Sequence, residues 1–181
     1  VPPAEAGEWY EYWKNERFQW YLDLGMPAEQ LRLREHDADE LSHYSSGTAD
    51  VEYLFPWGWD ELEGIANRGD YDLMQHMDAS GEKLDYFDPA TNTRYTPHVI
   101  EPAAGATRTA MAFLLAAYDE EEVAREGQGQ GDVRTVLRLH PRIAPYKVAV
   151  LPLSKKAELQ GPANEVLAQL QPHYMCDYDE T

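Results

Sequence analysis

The chain changes hydrophobic rhythm several times. Over residues 4–24, AEAGEWYEYWKNERFQWYLDL, the positions Trp9, Trp13, Trp20 and Leu24 recur at spacings of four, seven and four. That spacing predicts a helix with all four on one face. Gly25 is its stop, and Pro27 begins a short turn. An aromatic stripe of this kind is either core or subunit contact, or a surface on which bases stack. From residue 49 the period drops to two. VEYLF alternates as a strand, PWGW turns, and WDELEGIAN is a second strand with Glu61 and Glu63 directed to one side and Leu62 to the other. KLDYFD, PATN and TRYTPHVI, within residues 81–100, predict a further hairpin. Residues 106–118 predict an apolar helix, ended by the acidic run 119–122. REGQGQGD, residues 125–132, is polar, Gly-rich and aperiodic, and reads as a linker or mobile loop. TVLRLHPRIAPYKVAVLPL contains a buried strand from Lys147 to Leu153, PANEVLAQLQ is a helix, and HYMCDYD is another strand. Antiparallel strands closed by a helix over 49–118, followed by a βαβ pattern, predict an α+β part and then the start of an α/β unit.

The charge divides at the same place. Residues 1–135 carry 28 acidic and 10 basic side chains, whereas residues 136–181 carry five of each. A net charge of −18 argues against indiscriminate binding of nucleic acid or membranes. With 43% hydrophobic residues the 181-residue chain has material for one good core. A single cysteine, Cys176, excludes an internal disulfide and a Cys-rich zinc site, and makes a reducing compartment the default. No stretch approaches a membrane-spanning helix. His36 and His43 lie seven apart in a charged segment without a third ligand near them, a weak metal signature.

The informative stretch is RYTPHVIEPAAGATRTAMAFLLAAYDEEEV. Here Glu101 sits near the end of an apolar strand, and Arg108 opens the apolar helix. A carboxylate at a buried strand end can hold a small cation such as an ammonium. An arginine in a helix's first turn, beside free N–H groups and the positive dipole end, suits a polyphosphate. Gly105 between them lets a ligand approach the backbone. Ammonium on one side and phosphate on the other describe the activation of an amino acid by a nucleotide. On spacing alone, the alternative that Glu101 and Arg108 simply pair with each other stays open.

VIEPAAGATRTAMAFL, within residues 99–115, resembles motif 3 of the class II aminoacyl-tRNA synthetases, in the form found in glycyl-tRNA synthetases. GWDELEGIANRGDYDL and LSHYSSGTADVEYLF resemble other segments of that family, and LRLHPRIAPYKVAVLPL resembles the entry into the class IIa anticodon-binding domain. The resemblance is to the bacterial dimeric type and covers most of the chain in the family's order. It implies that residues 1–136 are the C-terminal part of a catalytic domain and that 137–181 begin an anticodon-binding domain.

By the same resemblance Glu101 contacts the glycine ammonium, Arg108 contacts ATP phosphates, and Gly105 lies against substrate or nucleotide. Glu61 and Leu62 correspond to a pair that touches ATP, with Mg2+ near Glu61. Position 103 departs from the pattern: Ala103 stands where many members have Ser, so no hydroxyl reaches glycine from there. Glycine has no side chain to recognise, so selection works by excluding larger amino acids, and a carboxylate-lined pocket suits that task.

The expected activity is ATP-dependent attachment of glycine to tRNA(Gly), with ATP and Mg2+ as substrate, no zinc, a homodimer, no membrane and a cytoplasmic location. Arg142, Lys147, Lys155 and Lys156 are the candidate tRNA contacts. The alternatives are a non-catalytic synthetase-like accessory subunit, or another class IIa specificity (Thr, Pro or Ser). The start VPPAEAGEWY and the end CDYDET give the expectation of a piece of a longer chain, with motifs 1 and 2 upstream and low activity in the piece alone.

Overall fold

The computed structural model describes residues 1–37, 39–123 and 132–180. It divides into two units, Val1–Arg138 and Leu139–Thr181.

The first unit is built on a four-stranded antiparallel sheet of order β1-β2-β3-β6, with β1 Leu31–Glu35, β2 Gly47–Phe55, β3 Gly58–Gly69 and β6 Val99–Ala104. β2 and β3 form a hairpin whose turn, at Pro56 and Trp57, ends on Gly58 at φ 117°, a conformation that glycine adopts without strain. Helix α1, Ala6–Asp23, and helix α3, Ala106–Ala117, meet through Tyr21 and Phe113, whose rings stack at 6.1 Å. The core gathers Tyr21, Leu24, Ala49, Val51, Tyr53, Leu62, Ile65, Ala112 and Phe113.

The predicted stripe is core only in part: Leu24 is buried and Trp20 packs edge-on against Phe113, but the face that the tryptophans share is not the most buried one. Ala6, Tyr10, Lys14 and Tyr21 are buried, while Trp9 is exposed. The buried stripe therefore lies one residue beyond the tryptophans, about 100° around the helix. Lys14 defeats a purely apolar count because it is neutralised in place by Glu11 and Glu35. Tyr10 lies on the same Glu35 carboxylate, and burial, then that carboxylate, push its hydroxyl pKa well up.

Other segments depart from the sequence pattern for local reasons. The hairpin expected over 81–100 is only β4 Tyr86–Asp88 with β5 Thr93–Tyr95. Pro97 interrupts the run, and β6 leaves to pair with β3 instead. Residues Tyr71–Ser80, without a strong apolar period, form α2, closed by Gly81 at φ 73°. The acidic run after α3 is itself strand: β7 Tyr118–Val123 pairs antiparallel with β8 Asp132–Leu137, cross-linked by Arg138 to Asp119 and Glu121 and by Arg134 to Glu121. Arginines opposite the carboxylates make that strand viable despite its charge. The linker read over 125–132 lies outside the described residues, apart from Asp132, where β8 begins.

In the second unit β9 Val148–Val150, α4 Ala157–Leu170 and β10 Cys176–Tyr178 form a parallel βαβ. The strand is shorter than the Lys147–Leu153 span expected, and it is not buried: Leu151 and Leu153 are exposed.

Candidate active site

Cross-strand register sets the site. Directly opposed residues share a face, so Arg34, Asp50, Gly64 and Ala103 form one row across β1, β2, β3 and β6. Thr48, Ala66 and Glu101 form the next. The middle of this face is floored by Gly64, Ala66 and Ala103, too small to fill the space above them. Carboxylates stand around it. Asp50 is held by His36 Nε2 at 2.7 Å, and Glu52 by Arg32. A Cβ on Gly64 would come within 3.4 Å of Glu61 Oε1 and 3.7 Å of Asp50 Oδ1, which places both carboxylates on this side.

Glu61 and Glu63 do not point the same way. The register steps from Val51↔Glu63 to Glu52↔Glu61, so Leu62 is the extra residue of a β-bulge. Beyond it the alternation is inverted. Glu61 stays on the exposed face, and its carboxylate has no hydrogen-bond or ion-pair partner among the described residues. Leu62 and Glu63 are both buried, at 2% exposure each. Leu62 can therefore offer a ligand its main chain but not its side chain.

Glu101 lies within β6, opposite Ala66, and is exposed rather than buried. Its partner is not Arg108. Arg68 Nη1 donates to Glu101 Oε2 at 2.7 Å, while the same guanidinium grips Asp72 through Nε at 2.7 Å and Nη2 at 3.2 Å. Arg68 also lies 4.2 Å from the centre of the Tyr44 ring. Asp72 and then Glu101 hold its proton more firmly than usual, and Arg68 in turn holds Asp72 below the ordinary carboxylate range. Glu101 Oε1 has no hydrogen-bond partner among the described residues.

Arg108 is the third residue of α3. It bonds Asp60 and lies over the Phe55 ring at 5.3 Å. Asp60 is held low first by the Trp57 indole N–H at 3.1 Å, then by the Glu61 N–H at 2.9 Å and by Arg108. The N–H groups of Ala106, Thr107 and Arg108 precede the first intrahelical bond, from Thr109 N–H to Gly105 O at 2.9 Å. Gly105 caps the helix with an extended backbone, and a Cβ there would meet only Arg108 Cβ, at 3.6 Å. An anion thus has open access to a helix N-terminus and one arginine, which it would take over from Asp60.

Sequence reasoning missed Arg68, Asp60 and Asp50. Only Arg68 carries a local signal, the i,i+4 spacing to Asp72. His36 and His43 do not converge: His43 packs against Tyr44 and Tyr71. Among the described residues no group of three or more His, Cys, Asp or Glu side chains could hold a metal ion. Arg142 is exposed beside Tyr146 and Tyr174. Lys147 is bound to the Pro141 and Ala144 carbonyls at 2.6 Å each, which leaves it less available to a partner. Lys155 and Lys156 are exposed. No helix is long and apolar enough to cross a membrane among the described residues.

No protein-family model matches the chain. Curated proteins do. The glycine–tRNA ligase of Ruminiclostridium cellulolyticum is 55% identical over 179 residues, that of Acetivibrio thermocellus 56% over 179, and that of Nocardia farcinica 53% over 183, each across 99% of this chain. The chain is a homologue of one stretch of the glycine–tRNA ligases. It spans 37% to 39% of the length of these relatives. Among solved structures, a prolyl-tRNA synthetase from Cryptosporidium parvum, complexed with L-proline and AMP, matches all of this chain and 35% of its own at TM-score 0.64 and 18% identity. The antiparallel sheet with its helices is thus the class II aminoacyl-tRNA synthetase fold.

Proposed function

We propose that the protein to which this chain belongs attaches glycine to tRNA(Gly), activating it with ATP as glycyl-adenylate. The observation that carries the reading is the groove floored by Gly64, Ala66 and Ala103, with Glu101 on its floor. Arg108, at the start of α3, is bonded to Asp60 on the other side of β3 and joins the site on leaving that partner. It is supported by 52–56% identity to glycine–tRNA ligases. Glu101 Oε1 takes the glycine ammonium while Arg68 fixes the other oxygen. Glycine's carboxylate attacks the α-phosphorus of ATP, a P–O bond forms, and pyrophosphate leaves with the electron pair of the broken bond. Arg108 and the α3 N-terminus gather phosphate oxygens, with Asp60 released in exchange. ATP arrives with Mg2+ as part of the substrate, and the Glu61 carboxylate, unpartnered among the described residues, suits the nucleotide side of the groove. No zinc has a role in this scheme.

Ala103 brings no hydroxyl, so the Glu101 pair and the closeness of the floor do the orienting. Residues 1–136 then belong to the catalytic domain and 137–181 to an anticodon-binding domain, in which Arg142 is the best-placed of the basic candidates. A homodimer in the cytoplasm completes the proposal. The test is charging: the purified natural protein, with ATP, glycine and tRNA, yields glycyl-tRNA on acid gels. A protein that binds tRNA without charging it is the accessory subunit instead.

A further inference from the structure

Across the bulge from Glu61, the next acidic residue turns inward. Glu63 is 2% exposed, and a carboxylate is costly to bury unless it is fully met. It is met three times, always from α1: by Arg17 Nε at 2.7 Å, by Arg17 Nη2 at 3.1 Å and by the Tyr21 hydroxyl at 2.7 Å. Arg17 also lies 4.6 Å over the Trp20 ring.

Tyr21 is fully buried and reaches in two directions. Its hydroxyl holds the strand that carries Glu61. Its ring stacks on Phe113 of α3 at 6.1 Å, and Trp20 meets the same Phe113 edge-on at 5.9 Å. The hydroxyl of Thr109, the residue after Arg108, is buried and has no hydrogen-bond partner among the described residues. One helix therefore joins the bulge of β3 to α3. Apolar side chains could pack α1 here without the cost of desolvating a charge. A three-bonded carboxylate adds direction, which oily packing lacks.

We infer that Glu63, gripped by Arg17 and Tyr21, is a positioning centre that sets the separation between Glu61 and Arg108, the two sides of the nucleotide site. This rests on the ligase reading above. None of the three touches substrate. They act through the bulge on one side and through Phe113 on the other. Glu63 also stands opposite Ala104 of β6, but Glu101 has a second anchor in Arg68 on the other face of the sheet, so disturbing the centre should be felt by ATP more than by glycine.

The test uses the full natural protein with Tyr21→Phe and, because a buried change can impair folding, Glu63→Gln as a second variant of nearly equal volume. Glycine-dependent ATP–pyrophosphate exchange is measured with each substrate varied in turn. The expected result is an ATP KM raised about tenfold with a glycine KM within about twofold of the parent, since small displacements of a phosphate-binding group are costly. ATP and glycine constants that move together, or that both stay put while the melting temperature falls, overturn the inference and leave Glu63 a purely structural group. Absence of exchange in the unaltered protein overturns the ligase reading first, and this inference with it.

Discussion

Arg68 and Glu101, 33 positions apart, are joined at 2.7 Å across the groove face, with Asp72 holding the far side of the guanidinium. The pair occupies one oxygen of Glu101 and leaves the other for a ligand. Arg68→Met should free the Glu101 carboxylate to swing, at the cost of one charge-assisted contact. The glycine KM is expected to rise about fivefold with the ATP KM little changed. Glu101→Gln removes the charge itself and should raise the glycine KM further, by about tenfold or more. If only the ATP constant responds to either change, Glu101 belongs to the nucleotide half of the site.

Arg108 gives the converse expectation. Its bond to Asp60 and its place in the first turn of α3 fit a group that exchanges one anion for another. Arg108→Ala should lower kcat/KM for ATP by about 2–4 kcal/mol of transition-state stabilisation. Exchange rates near those of the parent at subsaturating ATP would remove Arg108 from the phosphate site.

Stability should separate the two buried polar groups near α3. Glu63→Ala leaves Arg17 and Tyr21 facing a void and should cost about 3–5 kcal/mol. Thr109→Val removes a buried hydroxyl that has no hydrogen bond, so it should be neutral or slightly stabilising. Urea melts of the two variants compare them directly. A large loss from Thr109→Val would mean that the hydroxyl is satisfied after all.

The buried tyrosines set the alkaline limit. Burial, then Glu63, raise the pKa of Tyr21 well above its ordinary 10; burial, then Glu35, do the same for Tyr10. A group whose pKa is raised on folding contributes stability that is complete below its unfolded value and lost as pH climbs toward the folded one. Melting temperature should therefore hold up to about pH 10 and fall beyond it. Absorbance at the tyrosinate band should show Tyr21 ionising only with unfolding. Removing it by Tyr21→Phe should flatten that fall, and an unchanged profile would discount the burial argument.

Much of this was legible in the chain: the existence of α1, though not its buried face, the β2–β3 hairpin, α3 and the strand–helix–strand order of the second unit all follow from the period of their apolar residues. The direction of Glu63 was not, because a bulge adds one residue without changing the local pattern, and a period-two count runs straight through Leu62. The partners of Glu101 and Arg108 were hidden for a different reason. Arg68 and Asp60 reach them from 33 and 48 positions away, and only sheet register brings them there. The β7 strand escaped notice because its carboxylates look like a solvated stop until Arg134 and Arg138 stand opposite them.

The most direct measurement is ATP–pyrophosphate exchange by the full natural protein, with glycine, alanine, serine, threonine and proline supplied separately. The groove of Gly64, Ala66 and Ala103 beneath Glu101 predicts exchange with glycine and, at the same concentration, none above background with the larger four. Exchange above background with any of the larger four, or no exchange with any of the five, would contradict it.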